Sequence, residues 1–136
     1  MSLRRKSREI ALQIIFQSEF NPQKSVSELL DFYKSNFKPE DETFNYAEYL
    51  CNGVDHYKEE LDKKVLSLSK NWKLDRMPLV DLCLLRISAF EILKNEELAP
   101  KISINECLEI AKKFSTEESS KFINGILDQL LKERSF

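Results

Sequence analysis

The sequence predicts an all-α protein, and three observations support this fold class. Apolar residues recur at helical spacing along almost the whole chain of 136 residues. Glycine occurs only twice and proline four times, which leaves few residues for the tight turns of a β-sheet protein. Three serines begin an S/T-x-x-E pattern, which is typical of helix N-termini. We therefore expect a helical bundle of about six to seven helices in two small lobes, forming one domain over residues 1–136.

Two helices are predicted at the start of the chain. The first covers residues 3–20, where apolar residues follow the helical period, and Pro22 ends it. Ser25 and Glu28 have the spacing of a capping box, in which the serine accepts from first-turn amides and the glutamate returns to the cap. The second helix therefore begins at Ser25, and its apolar stripe stops before Pro39.

A third apolar stripe continues from Phe44 to Leu68 and predicts helix to about residue 69. Gly53 lies inside this stripe and costs about 1 kcal/mol relative to alanine, so it marks a kink or a close contact between helices. The segment 40–62 is strongly acidic, with eight acidic residues and Lys58 as its one lysine or arginine.

The most apolar segment of the chain follows Asp75, which we interpret as an N-cap, with Pro78 in the first turn. Apolar residues over 79–93 cover most of the helix circumference, which is typical of a central buried helix. Asp81 and Arg86 interrupt this segment. We expect a structural role for Arg86 and a position at an interface for Asp81.

Two further capping boxes are predicted in the last part of the chain. Ser103 and Glu106 form the first of them, with Ile102 and Cys107 placed as a hydrophobic staple. The second lies at residues 115–118 and opens a last helix.

Several function classes are disfavoured by the residues present. His56 is the only histidine, and its neighbours do not form a recognised metal-binding spacing. Cys51, Cys83 and Cys107 form no CxxC pair, so we expect reduced thiols in a core. The chain contains no GxGxxG motif, no P-loop and no apolar run long enough to span a bilayer. We therefore expect no catalytic residues, no metal, no cofactor, and a cytoplasmic protein.

Positive charge is concentrated at the N-terminus. The net charge is −2, but Arg4, Arg5, Lys6 and Arg8 give residues 1–8 a charge of +4 and leave −6 for the rest. On a helix, Arg4, Arg5 and Arg8 fall within about 100° of arc. Free amides at a helix N-terminus attract phosphate, and arginine binds phosphate with two parallel hydrogen bonds. The segment is either a phosphate-binding patch for nucleic acid or a solvated basic terminus.

Two other features have alternative interpretations. Lys121 and Phe122, near the start of the last helix, could hold a phosphate and stack a base, although Phe122 also fits the core at its spacing from Ile126. The acidic segment 40–62 would suit a protein-binding or self-associating helical module without an RNA role.

Four segments match a known sequence pattern, in order, over nearly the whole chain. They are residues 4–16 (RRKSREIALQIIF), 85–93 (LRISAFEIL), 103–114 (SINECLEIAKKF) and 121–128 (KFINGILD). Together they resemble the NusB family of bacterial transcription antitermination factors. The arginine-rich first helix combined with the closing KFINGILD string is specific, whereas the pattern over 21–70 is generic amphipathic helix.

The resemblance implies a two-lobed helical bundle that binds boxA-like single-stranded RNA of ribosomal RNA leaders together with NusE, a small-subunit ribosomal protein. It also implies assembly with RNA polymerase and other Nus factors. By position, the RNA-binding residues are Arg4, Arg5, Lys6, Arg8, Glu118, Lys121 and Phe122. The acidic positions that would face NusE are Asp75 and Asp81. The family more often has aspartate at the position of Glu118.

Two alternatives remain open within the resemblance. Some NusB-like proteins pair as homodimers that cover the arginine surface. The second alternative is that the chain is an RNA-binding domain split from an rRNA cytosine methyltransferase, an enzyme whose N-terminal part is NusB-like.

Overall fold

Helices form almost all of the computed structural model, which describes residues 3–69 and 77–134. Within these ranges the helices are α1 (Leu3–Phe20), α2 (Val26–Phe37), α3 (Asp41–His56), α4 (Lys58–Leu68), α5 (Leu79–Lys94), α6 (Pro100–Phe114) and α7 (Glu117–Arg134). The predicted all-α class is confirmed. No helix in the described ranges is long and apolar enough to cross a membrane.

Helix α5 lies at the centre of the bundle. The helices α1, α2 and α3 pack against one another, and α6 and α7 pack against each other and against α5. Helix α5 also contacts α1, α3 and α4, so it belongs to both groups. Its residues 81–92 are all buried, including the charged ones. This confirms the central helix that its apolar circumference predicts.

The first predicted capping box is confirmed at α2. The Glu28 amide donates to Ser25 Oγ and the Ser25 amide donates to Glu28 Oε1, each at 3.1 Å. The C-cap of α2 is Lys38, whose φ of 45° is left-handed, and Pro39 follows it directly. The helix therefore ends here, and the chain turns toward α3.

The capping box predicted at Ser103 is wrong. Helix α6 already begins at Pro100, after Ala99, so Ser103 lies inside the helix and is buried. Its hydroxyl donates to Glu91 at 2.8 Å instead of capping a helix end. Ile102 is half exposed, so no staple forms there.

The third predicted box is displaced by one residue. Thr116 caps α7, because its Oγ1 accepts from the Ser119 amide at 3.0 Å. Ser115 instead donates its hydroxyl to Asp81 at 2.7 Å. The S/T-x-x-E pattern located the start of the helix but not the capping side chain.

The long stripe predicted from Phe44 to Leu68 is divided into two helices. Tyr57, with φ −101° and ψ 14°, separates α3 from α4, so one continuous helix is wrong. Of the two alternatives at Gly53, a kink or a close contact between helices, the structure has the close contact: a Cβ built there would lie 2.0 Å from the ring of Phe90 on α5.

Helix α5 begins three residues later than predicted, because its N-cap position is 78 and not 75. Pro78 precedes the helix as its N-cap residue rather than standing in the first turn. Asp75, predicted as the N-cap and as a partner-facing residue, lies outside the described residues.

The three cysteines are buried free thiols. Burial raises the pKa of Cys51, and it raises the pKa of Cys83 and Cys107 to about 12. They are therefore neutral packing residues of the core at physiological pH.

Candidate nucleic-acid interface

Arg8 is the centre of a buried polar network. It is 2% exposed, and its Nε and terminal nitrogen donate to the Glu91 carboxylate at 3.0 and 2.9 Å. Glu91, itself 1% exposed, also accepts from the hydroxyls of Ser103 and Tyr46. Burial alone would lower the pKa of Arg8, but the hydrogen bonds and charge of Glu91 outweigh it and raise that pKa. Arg8 is therefore a charged residue of the interior.

This geometry corrects the expectation that Arg8 contacts RNA. The arc shared by Arg4, Arg5 and Arg8 is not one surface for phosphate, because at Arg8 it faces the bundle. There α5 and α6 supply Glu91 and, at 3.6 Å, Glu106 as counter-ions. Arg8 anchors the start of α1 to the central helix.

Arg5 is also paired with an acidic residue of the same chain, and this pair lies nearer the surface than the pair of Arg8 and Glu91. Its guanidinium donates to the two oxygens of Glu106 at 3.0 and 2.6 Å. The side chain remains about one-third exposed. The hydrogen bond to Glu106 raises the pKa of Arg5. A phosphate that reached Arg5 would have to compete with this carboxylate.

Arg4 and Lys6 are the exposed cations of the segment. The Arg4 guanidinium lies 3.9 Å from the centre of the Tyr46 ring, in a cation–π contact. Lys6 points to a different side of α1, where it borders an apolar groove. The structure thus separates the four predicted cations into two paired and two exposed ones.

The groove beside Lys6 is the larger of two neighbouring cavities. It has a volume of about 590 Å³ and is lined by apolar side chains including Phe16, Val80 and Phe114. A second cavity of about 390 Å³ shares Val80 and Phe114 and is lined also by Glu118 and Phe122. Lys6 and the start of α7 therefore border adjoining cavities.

The predicted residues of α7 lie at this second cavity or beside it. Glu118 and Lys121 are exposed. Phe122 is half-buried: one part packs on the core, and another part lines the cavity. The two interpretations of Phe122, as a core residue and as a platform, are therefore compatible.

Asp81 does not present its carboxylate at the surface. It is 1% exposed and accepts a hydrogen bond from the Ser115 hydroxyl. Its predicted contact with NusE is corrected by this burial, since the side chain instead holds the connection between α6 and α7 against α5. The other predicted partner-facing residue, Asp75, lies outside the described residues.

Sequence reasoning missed Tyr46, Glu91 and Glu106, which position the basic segment. Glu91 carried a usable signal, because it is a charged residue within the apolar stripe of α5, like Asp81 and Arg86. Tyr46 carried none, since its ring lies beside Arg4 only through the packing of α1 on α3.

The fold and this surface define a class of protein: a helical bundle that presents cations and aromatic rings together, a combination typical of RNA-binding surfaces. The model of the NusB family matches residues 5–132, and the chain belongs to this family of transcription antitermination proteins. The resemblance inferred from the four sequence segments is confirmed.

Similar proteins support the assignment over nearly the whole of this chain. The transcription antitermination protein NusB of Methylacidiphilum infernorum is 44% identical over 98% of this chain and 93% of that protein. The structure of T. maritima NusB is 29% identical, with a TM-score of 0.87 over 96% of this chain and 91% of that one. A chain from a crystal structure of antitermination factors NusB and NusE with dsRNA has the same fold, at 21% identity, a TM-score of 0.87 and 98% coverage of both chains.

Proposed function

We propose that this protein binds boxA-like single-stranded RNA of ribosomal RNA leaders as a complex with NusE and, with other Nus factors, joins elongating RNA polymerase. The exposure of Arg4 and Lys6 on the first turn of α1, which Arg8 anchors to α5, carries the proposal. Family membership supports it, as does the similar fold seen in a complex of NusB, NusE and dsRNA. Work on nascent ribosomal RNA would place the protein in the bacterial cytoplasm.

The RNA contacts are divided between two helix starts. Arg4, Lys6 and Lys121 would neutralise phosphates, and the exposed part of Phe122 would stack a base. The Glu118 carboxylate would accept from an exocyclic amino group of a base. Arg5 would join when a phosphate displaces Glu106.

NusE would occupy the apolar groove between α1, α2 and the end of α6. Phe16 and Phe114 line this groove, and Phe114 is 48% exposed. Apolar side chains clustered at the surface in this way are typical of protein–protein interaction sites. Val80, next to Asp81, also borders it, so the proposed docking surface lies beside the predicted acidic position rather than on its carboxylate. A second copy of the chain would cover the same groove in a homodimer.

The test is RNA binding by fluorescence anisotropy, with and without NusE. The probe is a single strand containing a boxA element, and a duplex of the same sequence is measured beside it. Arg4→Ala with Lys6→Ala should weaken single-strand binding roughly tenfold and reduce the log–log salt slope by about 1.4, which corresponds to two lost phosphate contacts.

The matched control is Lys63→Ala with Lys132→Ala. These substitutions remove the same charge from two exposed lysines, one on α4 and one on α7. It should leave both quantities unchanged. Unchanged affinity and salt slope in the Arg4 and Lys6 variant would overturn the proposed site. NusE binding with no RNA in the complex would favour the protein-binding module.

A further inference from the structure

A third cavity lies beside Arg4, on a different side of α1 from the groove at Lys6. It has a volume of about 410 Å³ and lies between the first turns of α1 and one face of α3. Its α3 lining follows the helical spacing i, i+3, i+4 and i+7, with Glu42, Asn45, Tyr46 and Tyr49. The α1 lining consists of Arg4 and Ser7. We name it the Tyr49 pocket.

The pocket combines flat rings with polar groups of both signs. The ring centres of Tyr46 and Tyr49 are 5.6 Å apart, and Tyr49 is 41% exposed. The Arg4 guanidinium covers the Tyr46 face. Asn45 supplies an amide that can donate and accept, and Glu42 supplies an acceptor; both are exposed.

Hydrogen bonds fix two parts of the pocket wall. The Tyr46 hydroxyl donates to Glu91 and accepts from Asn95 at 3.5 Å, which orients its ring. Ser7 donates its hydroxyl to the Thr43 carbonyl at 2.8 Å and ties α1 to α3 beside Arg4. The Tyr46 ring and the α1 side of the pocket are therefore preformed.

The row of rings continues beyond the pocket to a second cation. The Tyr49 ring centre lies 5.2 Å from that of Phe90, and Phe90 lies 6.1 Å from Tyr57. Lys94 covers the Tyr57 ring at 4.4 Å. Cations thus flank the row at both ends, as Arg4 and Lys94. Lys94 is paired with Glu60 at 2.8 Å, so Arg4 is the cation available to a phosphate beside a base on Tyr49.

We infer that the Tyr49 pocket binds one unpaired base of the RNA, stacked on Tyr49, with Arg4 on the adjacent phosphate. This rests on the proposed RNA-binding function and adds a base-reading site separate from that of Phe122, since the two cavities share no lining residue. The Glu42 acceptor selects a base with an exocyclic amino group, so adenine, guanine or cytosine is bound in preference to uracil.

The test places the fluorescent base 2-aminopurine at successive positions of the boxA single strand. Stacking on Tyr49 should quench one position outside those affected by Phe122→Leu. Tyr49→Leu should abolish that quenching and weaken binding about tenfold, whereas Tyr49→Phe, which keeps the ring, should behave like wild type. Replacing the base at that position by uracil should weaken the binding of RNA to the wild type. The same replacement should weaken binding to the Glu42→Gln variant less.

The control is Phe32→Leu, which removes a more exposed aromatic ring of α2 and should change neither signal. Asn45→Ala, on an exposed position, gives a second variant whose folding is not in question, and it should reduce the quenching. Binding that depends on Lys6 but is identical in wild type, Tyr49→Leu and Asn45→Ala would overturn the pocket alone. Failure of the wild type to bind the strand would overturn the proposed function as well.

Discussion

At the scale of single residues, the partner across the core determines what each cation of the first turn does. Arg8 meets Glu91 and becomes part of the interior, Arg5 meets Glu106 at the surface, and Arg4 lies on an aromatic ring. The sequence predicts the cluster, because four cations within five positions are visible without a structure. It cannot predict these partners, since each lies on another helix more than 40 residues away.

Arg8→Ala should therefore reduce stability rather than act mainly on RNA binding. Removing the guanidinium leaves the Glu91 carboxylate buried with hydroxyl donors only, and breaking a buried pair in this way costs about 3–5 kcal/mol. The free energy of unfolding in urea, followed by circular dichroism, measures the loss.

Arg4→Ala is the matched control, because it removes the same side chain from an exposed position of the same helix. It should change the free energy of unfolding by less than about 1 kcal/mol. If Arg8→Ala kept wild-type stability while RNA affinity fell, Arg8 would be a contact residue and the structural role assigned to it would be wrong.

At the scale of helices, apolar periodicity predicts where each element lies better than it predicts where the element ends. All the predicted helices exist, but α3 and α4 share one apolar stripe and separate only at Tyr57. The S/T-x-x-E pattern is correct at Ser25 and wrong at Ser103, because the same spacing occurs inside a helix. At Ser103 a buried carboxylate on α5 takes the hydroxyl, and no local pattern shows that.

Substitution by alanine should change the stability of the protein in opposite directions at the two glycines. Both lie inside helices, where alanine is favoured by about 1 kcal/mol. At Gly53 the added Cβ would lie within 2.5 Å of three ring atoms of Phe90, which packs against Tyr49 and Tyr57. Gly53→Ala should therefore lower the free energy of unfolding by about 1–3 kcal/mol.

At Gly125 a Cβ would have no neighbour within 4 Å among the described residues outside its own helix. Gly125→Ala should raise the free energy of unfolding by about 0.5–1 kcal/mol. Thermal unfolding of the two variants under identical conditions makes the comparison. Equal stabilisation of both would show that Phe90 moves away without cost.

At the scale of the whole molecule, buried ion pairs connect helices that apolar packing alone would leave free to slide. Arg86 on α5 donates to Glu19 on α1 at 2.5 Å and to Asp62 on α4 at 2.8 and 3.0 Å. Its side chain is 5% exposed. The structural role expected for Arg86 is confirmed, although the sequence could not name its partners.

This network makes stability depend on pH. Burial alone would raise the pKa of Glu19, but hydrogen bonds from Arg86 and Lys58 outweigh it and lower that pKa below its ordinary 4.5. As the pH falls, the unfolded chain binds a proton at this carboxyl before the folded protein does. The contribution of Glu19 is therefore complete above about pH 5.5 and is lost as the pH falls through the folded pKa.

Glu19→Gln tests this linkage directly. At neutral pH the variant should be less stable by about 1–3 kcal/mol, because Arg86 and Lys58 lose a charged acceptor. The difference from wild type should shrink as the pH is lowered from about 6 to about 3, since acid neutralises the wild-type carboxyl too. The urea midpoints of the variant and the wild type across this pH range measure the difference. The control is Glu48→Gln, which replaces an exposed carboxyl group of α3. A difference that stays constant with pH would mean that Glu19 acts through packing and not through its charge.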